Sequence, residues 1–140
     1  MSEAVNKNRP QNRPKYGVMT FADIAHYRLP LAAYLSILHR ISGAALVIML
    51  PFLLYLLDRS LMSEISFEYF KGFVSGWFVK IIILGLVWAY LHHFFAGLRH
   101  LGMDFHMGID KDSGKKSSIA VFVLSLVPTA LVALKLFGAF

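Results

Sequence analysis

Cysteine is absent from the 140-residue sequence, which rules out disulfides, thiolate-ligated iron–sulfur clusters and cysteine nucleophiles in this chain. Any metal chemistry must rest on its six histidines. Charge is scarce too: Asp, Glu, Lys and Arg make up 16% of the residues, against about 25% in an ordinary soluble domain. With 57% hydrophobic residues and a mean hydropathy of +0.60, a water-soluble core protein is not expected. Acidic residues are the rarer sign, 8 against 14 basic ones, for a formal net charge of +6. That excess does not point to nucleic acid, because the basic residues form no patch with interleaved aromatics and sit instead at the ends of apolar segments. A dinucleotide-binding glycine fingerprint is also missing.

What is present is long apolar sequence. About 20 apolar residues cross the hydrocarbon core, and three segments qualify, at about residues 31–57, 78–98 and 118–140. The fold class expected is all-α, an integral membrane protein with three transmembrane helices. Residues 1–30 form an N-terminal segment and 31–140 the transmembrane domain. Lys7, Arg9, Arg13, Lys15 and Arg28 precede the first span, and Arg99, Lys111, Lys115 and Lys116 lie in the second connection. The other side carries Arg59 and Lys71, with Lys80 and Lys135 near helix ends. The positive-inside rule therefore places the N-terminus and the second connection in the cytoplasm and the C-terminus on the far side. The polar N-terminal stretch, with Pro10 and Pro14, should be extended and weakly ordered. It is not followed by the short apolar run and cleavage site of a signal peptide. Residues 16–26 suit a short interfacial helix ending near Leu29-Pro30. The first connection holds an amphipathic stretch from Glu64 to Phe73, and the second, from Asp104 to Ser117, reads as a charged cytoplasmic loop.

Two polar clusters interrupt the spans: SILHRISG, from Ser36 to Gly43, and HHFFAGLRHLGMD, from His92 to Asp104. Ionisable side chains at membrane depth are costly and mark a site by default. His39 and Arg40 lie roughly 12 to 14 Å into the first span and His93 roughly 9 Å from the cytoplasmic end of the second, so antiparallel neighbours would place them in one layer. Ser36, His39, Arg40 and Gly43 stack at i, i+3, i+4 and i+7, while His93, Gly97 and His100 share a face of the second helix. A glycine one turn from a histidine clears space for a flat ligand against the backbone. Haem has that shape, its iron accepts an imidazole nitrogen, and its propionates suit cationic partners such as Arg40 and His39.

Plainer roles compete at each position. An intramembrane histidine can bond a neighbouring helix, and glycine can simply admit close packing. His92, rotated about 100° from His93, is not excluded as the ligand by spacing alone. Topology and headgroups account for Arg99 and His100 without a site. Asp104 is expected to pair with Arg99 or His100, and His26 and His106 to be solvated or interfacial.

The order NRP, then YRLP from Tyr27 to Pro30, SILHRISG, three apolar spans and HHFFAGLRHLGMD resembles the cytochrome b membrane-anchor subunits of succinate dehydrogenase, complex II. The resemblance covers most of the chain. It implies that His93, seven residues before the histidine of GLRH, is an axial ligand of a b-type haem whose propionates are approached by His39 and Arg40. It implies that Ser36 and Arg40 line a ubiquinone pocket near the cytoplasmic face. A second hydrophobic anchor subunit would complete the haem-binding bundle and share the cofactor. The chain would anchor a flavoprotein subunit, carrying FAD, and an iron–sulfur subunit in a bacterial inner membrane, contributing to quinone reduction in the citric acid cycle and respiratory chain. Dehydrogenase chemistry would reside in those partners. The alternatives are a quinol:fumarate reductase anchor, running the chemistry in reverse, and a small membrane scaffold or transporter subunit without haem.

Overall fold

The computed structural model describes Gly17 and residues 20–138. The expected extended arm and Phe140 lie outside the described residues. Among the described residues five helices follow in order: α1 Phe21–His26, α2 Leu31–Leu61, α3 Glu64–Val74, α4 Trp77–Asp104 and α5 Lys111–Leu136. No strand occurs among the described residues. α2, α4 and α5 are the ones long and apolar enough to cross a membrane, so the chain is an all-helical, multi-pass membrane protein.

Local chemistry sets the helix starts. Thr20 and Asp23 bond reciprocally at the head of α1: the Thr20 amide and hydroxyl donate to the Asp23 carboxylate at 2.9 and 2.7 Å, and the Asp23 amide donates back to Thr20 Oγ1. The Thr20 amide holds the Asp23 carboxyl below its usual pKa range. Pro30, with φ −67°, stands at the N-cap of α2 and confines Leu29 to extended geometry. Ser63 and Ser66 build the corresponding box on α3, the amphipathic segment expected in the first connection.

The second connection is shorter than the loop expected between Asp104 and Ser117. α4 continues to Asp104, and α5 begins at Lys111, where the Asp110 side chain accepts the Ser113 amide at 2.9 Å. Lys115, Lys116 and Ser117 are therefore helical, because a capped helix extends out of the hydrocarbon with polar residues on its exterior. A turn with His106 and Gly108 in the left-handed region, φ 59° and 65°, joins the two helices.

α4 is the central span, packing extensively on both α2 and α5. Among the described residues the fully buried positions are few and mostly small: Leu35, His92, Ala96, Ser118 and Ser125, with Ala89, Val121 and Ser42 nearly so. In lipid no hydrophobic force separates helices from solvent, so close backbone approach through Ala and Ser replaces a bulky core. The buried serines bond within their own helices, Ser118 to the Gly114 carbonyl and Ser125 to the Phe122 carbonyl. The large apolar side chains cover the outside of the bundle. At the end of the bundle away from the second connection, Lys80 reaches from α4 to the last turn of α5 and donates to the Leu136 carbonyl at 3.0 Å. A cation there complements the negative end of the α5 dipole and satisfies an orphan carbonyl.

Candidate functional site

The two polar clusters meet where α2 crosses α4. The His39 carbonyl accepts a bond from the Ser42 hydroxyl of its own helix at 2.9 Å and from Nδ1–H of His93 on α4 at 3.0 Å. Ser42 Oγ lies 3.5 Å from the same His93 nitrogen. Since a carbonyl can only accept, Nδ1 of His93 carries a proton, and in the neutral ring Nε2 then holds a lone pair. The His93 ring stacks on that of His39, with centroids 4.2 Å apart and planes 11° from parallel. His100 lies tilted against the other histidine, 5.1 Å from the His39 centroid.

Gly43 is what lets His93 come so close. A Cβ built there would meet His93 Cε1 at 2.7 Å and Nδ1 at 3.1 Å, and this ring is pinned by its bond to His39 rather than free to swing aside. A Cβ on Gly97 would meet His39 Nε2 at 3.7 Å, an ordinary contact. The space expected for a flat ligand beside these glycines is thus taken, at Gly43, by the imidazole of the neighbouring helix. The reason is the interhelical bond, which draws the ring onto the α2 backbone.

His92 and His93 are adjacent in sequence and opposite in environment. His92 points into the three-helix core, fully buried, with centroids 5.1 Å from Trp88 and 5.5 Å from Phe122. Neither of its ring nitrogens, nor Trp88 Nε1, has a hydrogen-bond partner among the described residues. His93 is only half-buried. The two rings thus differ by their rotation about α4: His93 is oriented by the His39 carbonyl, and His92 is packed among aromatics.

Ser36, half-buried, and Arg40, exposed, lie one turn apart on α2. The only ion pair among the described residues is Lys71–Glu68, at 3.4 Å, so Asp104 does not form the pair expected with Arg99 or His100. The Arg99 Nε–H donates instead to Ser117 Oγ at 3.0 Å, joining α4 to α5; the helical start of α5 brings that hydroxyl within reach. His100, explained from sequence by topology alone, joins the imidazole cluster. Its i+7 relation to His93 was the available signal. His26 and His106 are exposed, the former bonded to the Ala22 carbonyl of its own helix.

The donor set could hold a group that takes one imidazole nitrogen from this chain. A single oriented imidazole offers one ligand nitrogen, its other nitrogen is fixed by a backbone carbonyl as metal-bound histidines require, and no cluster of three or more metal-binding side chains suited to a caged ion occurs among the described residues. His39 and Arg40 add hydrogen-bonding and cationic groups beside it.

This architecture defines a class: a multi-pass helical membrane subunit whose polar site lies between its first two spans. Residues 6–132 match the succinate dehydrogenase/fumarate reductase transmembrane subunits, and the chain belongs to that family. Its relatives include the succinate dehydrogenase cytochrome b556 subunit of Coxiella burnetii, 35% identical over 129 residues that cover 91% of this chain and 95% of the relative. The Paracoccus denitrificans subunit of the same name is 38% identical over 111 residues, covering 79% of this chain and 85% of the relative. That of Rickettsia felis is 28% identical over 113 residues, 81% and 88% of the two chains.

The packing around the paired histidines makes a stability prediction. His92→Ala should cost roughly 2 to 4 kcal/mol by opening a cavity, whereas His92→Leu should leave stability unchanged or raised, because it removes two unpaired buried polar atoms at similar volume. Gly43→Ala should lower the unfolding temperature and Gly97→Ala should not. Thermal unfolding of the purified detergent-solubilised variants checks all four, and equal tolerance at the two glycines contradicts the close approach at Gly43.

Proposed function

We propose that this chain is the haem b-binding membrane anchor of a bacterial succinate:ubiquinone oxidoreductase, holding flavoprotein and iron–sulfur subunits at the cytoplasmic face of the inner membrane. The observation that carries the reading is the imidazole of His93, held through Nδ1 with Nε2 unused. His93 would ligate haem iron, His39 and Arg40 would meet the propionates, and a second hydrophobic anchor subunit would supply the other protein ligand. When bound, haem supplies one-electron redox capacity close to the quinone.

Ser36 and Arg40 form the quinone-facing pair in this reading. The serine hydroxyl donates a hydrogen bond to a quinone carbonyl, and the guanidinium stabilises negative charge that develops on reduction, an effect strengthened in a water-poor pocket. Protons arrive from the cytoplasmic side, which the basic residues flanking α2 and in the second connection assign by charge. Succinate is oxidised in the soluble partners, since this chain has no cysteine for a cluster and no dinucleotide fingerprint.

Three measurements test this. His93→Ala should lose or convert the low-spin signal in a reduced-minus-oxidised absorption spectrum of the purified complex, while His92→Leu should retain it; the opposite pattern moves the ligand to His92. Ser36→Ala and Arg40→Leu should depress succinate-to-ubiquinone activity by about 10- to 150-fold, the equivalent of one charge-assisted contact of roughly 1.5 to 3 kcal/mol, and should spare succinate oxidation by an artificial acceptor. Arg40→Lys should recover little, because an ammonium lacks the planar donor fork. A parallel loss of both activities in an assembled complex would instead make these residues supports for subunit docking. Finally, a phosphatase reporter fused after Phe140 should be periplasmic and active, and one inserted in the turn at Gly108 inactive; a cytoplasmic C-terminus contradicts the proposed orientation.

A further inference from the structure

At the end of the bundle away from the histidine cluster, the last turns of α2 and the amphipathic α3 enclose an open groove of about 820 Å³. That volume is in the range of sites for sizeable small molecules, roughly 300 to 1,000 Å³. Its α2 wall consists of Phe52, Tyr55, Leu56 and Arg59, positions i, i+3, i+4 and i+7 of one helix face. Polarity therefore changes along a single direction: aromatic and aliphatic side chains lie deeper, and the cation stands about 10 Å farther out at the rim, where α2 leaves the apolar span. Phe70 and Phe73 of α3 close the apolar part, and Tyr69, largely exposed, stands beside the rim. Tyrosines at a span end mark the level of lipid headgroups.

Arg59 is exposed and makes only weak contacts within the described residues. Its Nη1 donates to the thioether of Met62 at 3.5 Å, a weak acceptor, and its guanidinium carbon lies 5.3 Å from the centre of the Tyr55 ring. It has no carboxylate partner among the described residues, whereas Lys71, the neighbouring cation on α3, is paired with Glu68. A guanidinium fork with unspent donors, at headgroup depth, above an apolar trough continuous with the membrane interior, is complementary to an amphiphile with an anionic phosphate head.

We propose that this groove is a binding site for an anionic phospholipid of the leaflet opposite the histidine cluster, with its phosphate on Arg59 and an acyl chain along Tyr55, Phe52 and Phe70. The bound lipid would fill the wedge between α2 and α3 and fasten the amphipathic helix to the bundle.

The test uses the intact purified complex, reconstituted in nanodiscs of phosphatidylcholine with or without phosphatidylglycerol and examined by native mass spectrometry for retained lipid. Wild type should retain phosphatidylglycerol in preference to phosphatidylcholine. Arg59→Gln should weaken that retention about tenfold, the loss of one charge-assisted contact, while Lys71→Gln should leave it unchanged. Equal retention of phosphatidylglycerol by Arg59→Gln overturns the site, and so does wild-type binding without preference between the two lipids, which would mark apolar filling only. Wild type that retains no lipid, with cross-links from the groove to another subunit, overturns it in favour of a protein occupant. If Arg59→Gln fails to assemble, phosphatidylglycerol bearing a photoreactive acyl chain decides the matter on wild type: labelling of residues 52–59 and 65–73 supports the site, and labelling elsewhere refutes it. None of these readouts depends on haem or quinone.

Discussion

The hydrogen bond from His93 Nδ1 to the His39 carbonyl is the contact around which the site is organised. It lies between two apolar helices that pack along their length, and it exploits a carbonyl that can accept more than one donor. Two consequences follow from one bond. The tautomer of a neutral His93 is set, so that its remaining nitrogen is an acceptor rather than a donor. The ring is also drawn onto the α2 backbone, which only a residue without a side chain at position 43 can accommodate.

The other interhelical side-chain bonds among the described residues tie the same central helix to α5. Arg99 reaches Ser117 near the second connection, and Lys80 reaches the Leu136 carbonyl near the opposite end. α4 is thus fastened at three depths, once to α2 and twice to α5. Between these points packing rests on Ala and Ser, whose hydroxyls turn back to their own helices and let the backbones approach closely. Such an assembly is economical in lipid, where an unsatisfied polar group is costly. The ring nitrogens of His92 and the Trp88 Nε1 are the buried side-chain polar atoms without a hydrogen-bond partner among the described residues.

Most of the bulky apolar surface faces outward. For a soluble chain this would signal aggregation; for a family of transmembrane subunits it is the surface that lipid and neighbouring subunits cover. The cationic and polar features then sort by depth. One layer contains the imidazoles, Ser36 and Arg40, and the other end contains Arg59 over its apolar groove, so the two ends of the same span present different chemistry to different amphiphiles.

Much of this was legible in the sequence because membrane constraints act locally. Apolar length sets the spans, basic flanks set the expected orientation, and helical periodicity aligned Ser36 with His39 and Arg40, and His93 with His100, before any packing was known. The motifs around Ser36 and His93 were enough to suggest the family. Local pattern was misleading where a few polar contacts decide: the run after Asp110 read as a loop, yet one aspartate cap starts a helix there, and Asp104 forms no ion pair because Arg99 finds a hydroxyl on the next helix. Spacing alone did not separate His92 from His93; the resemblance pointed to His93, and the tertiary structure showed how their surroundings differ. Adjacent residues on a helix share composition, depth and chemistry and differ only by a rotation of about 100°, so which ring enters the core and which keeps a free nitrogen depends on where α2 and α5 pack against α4.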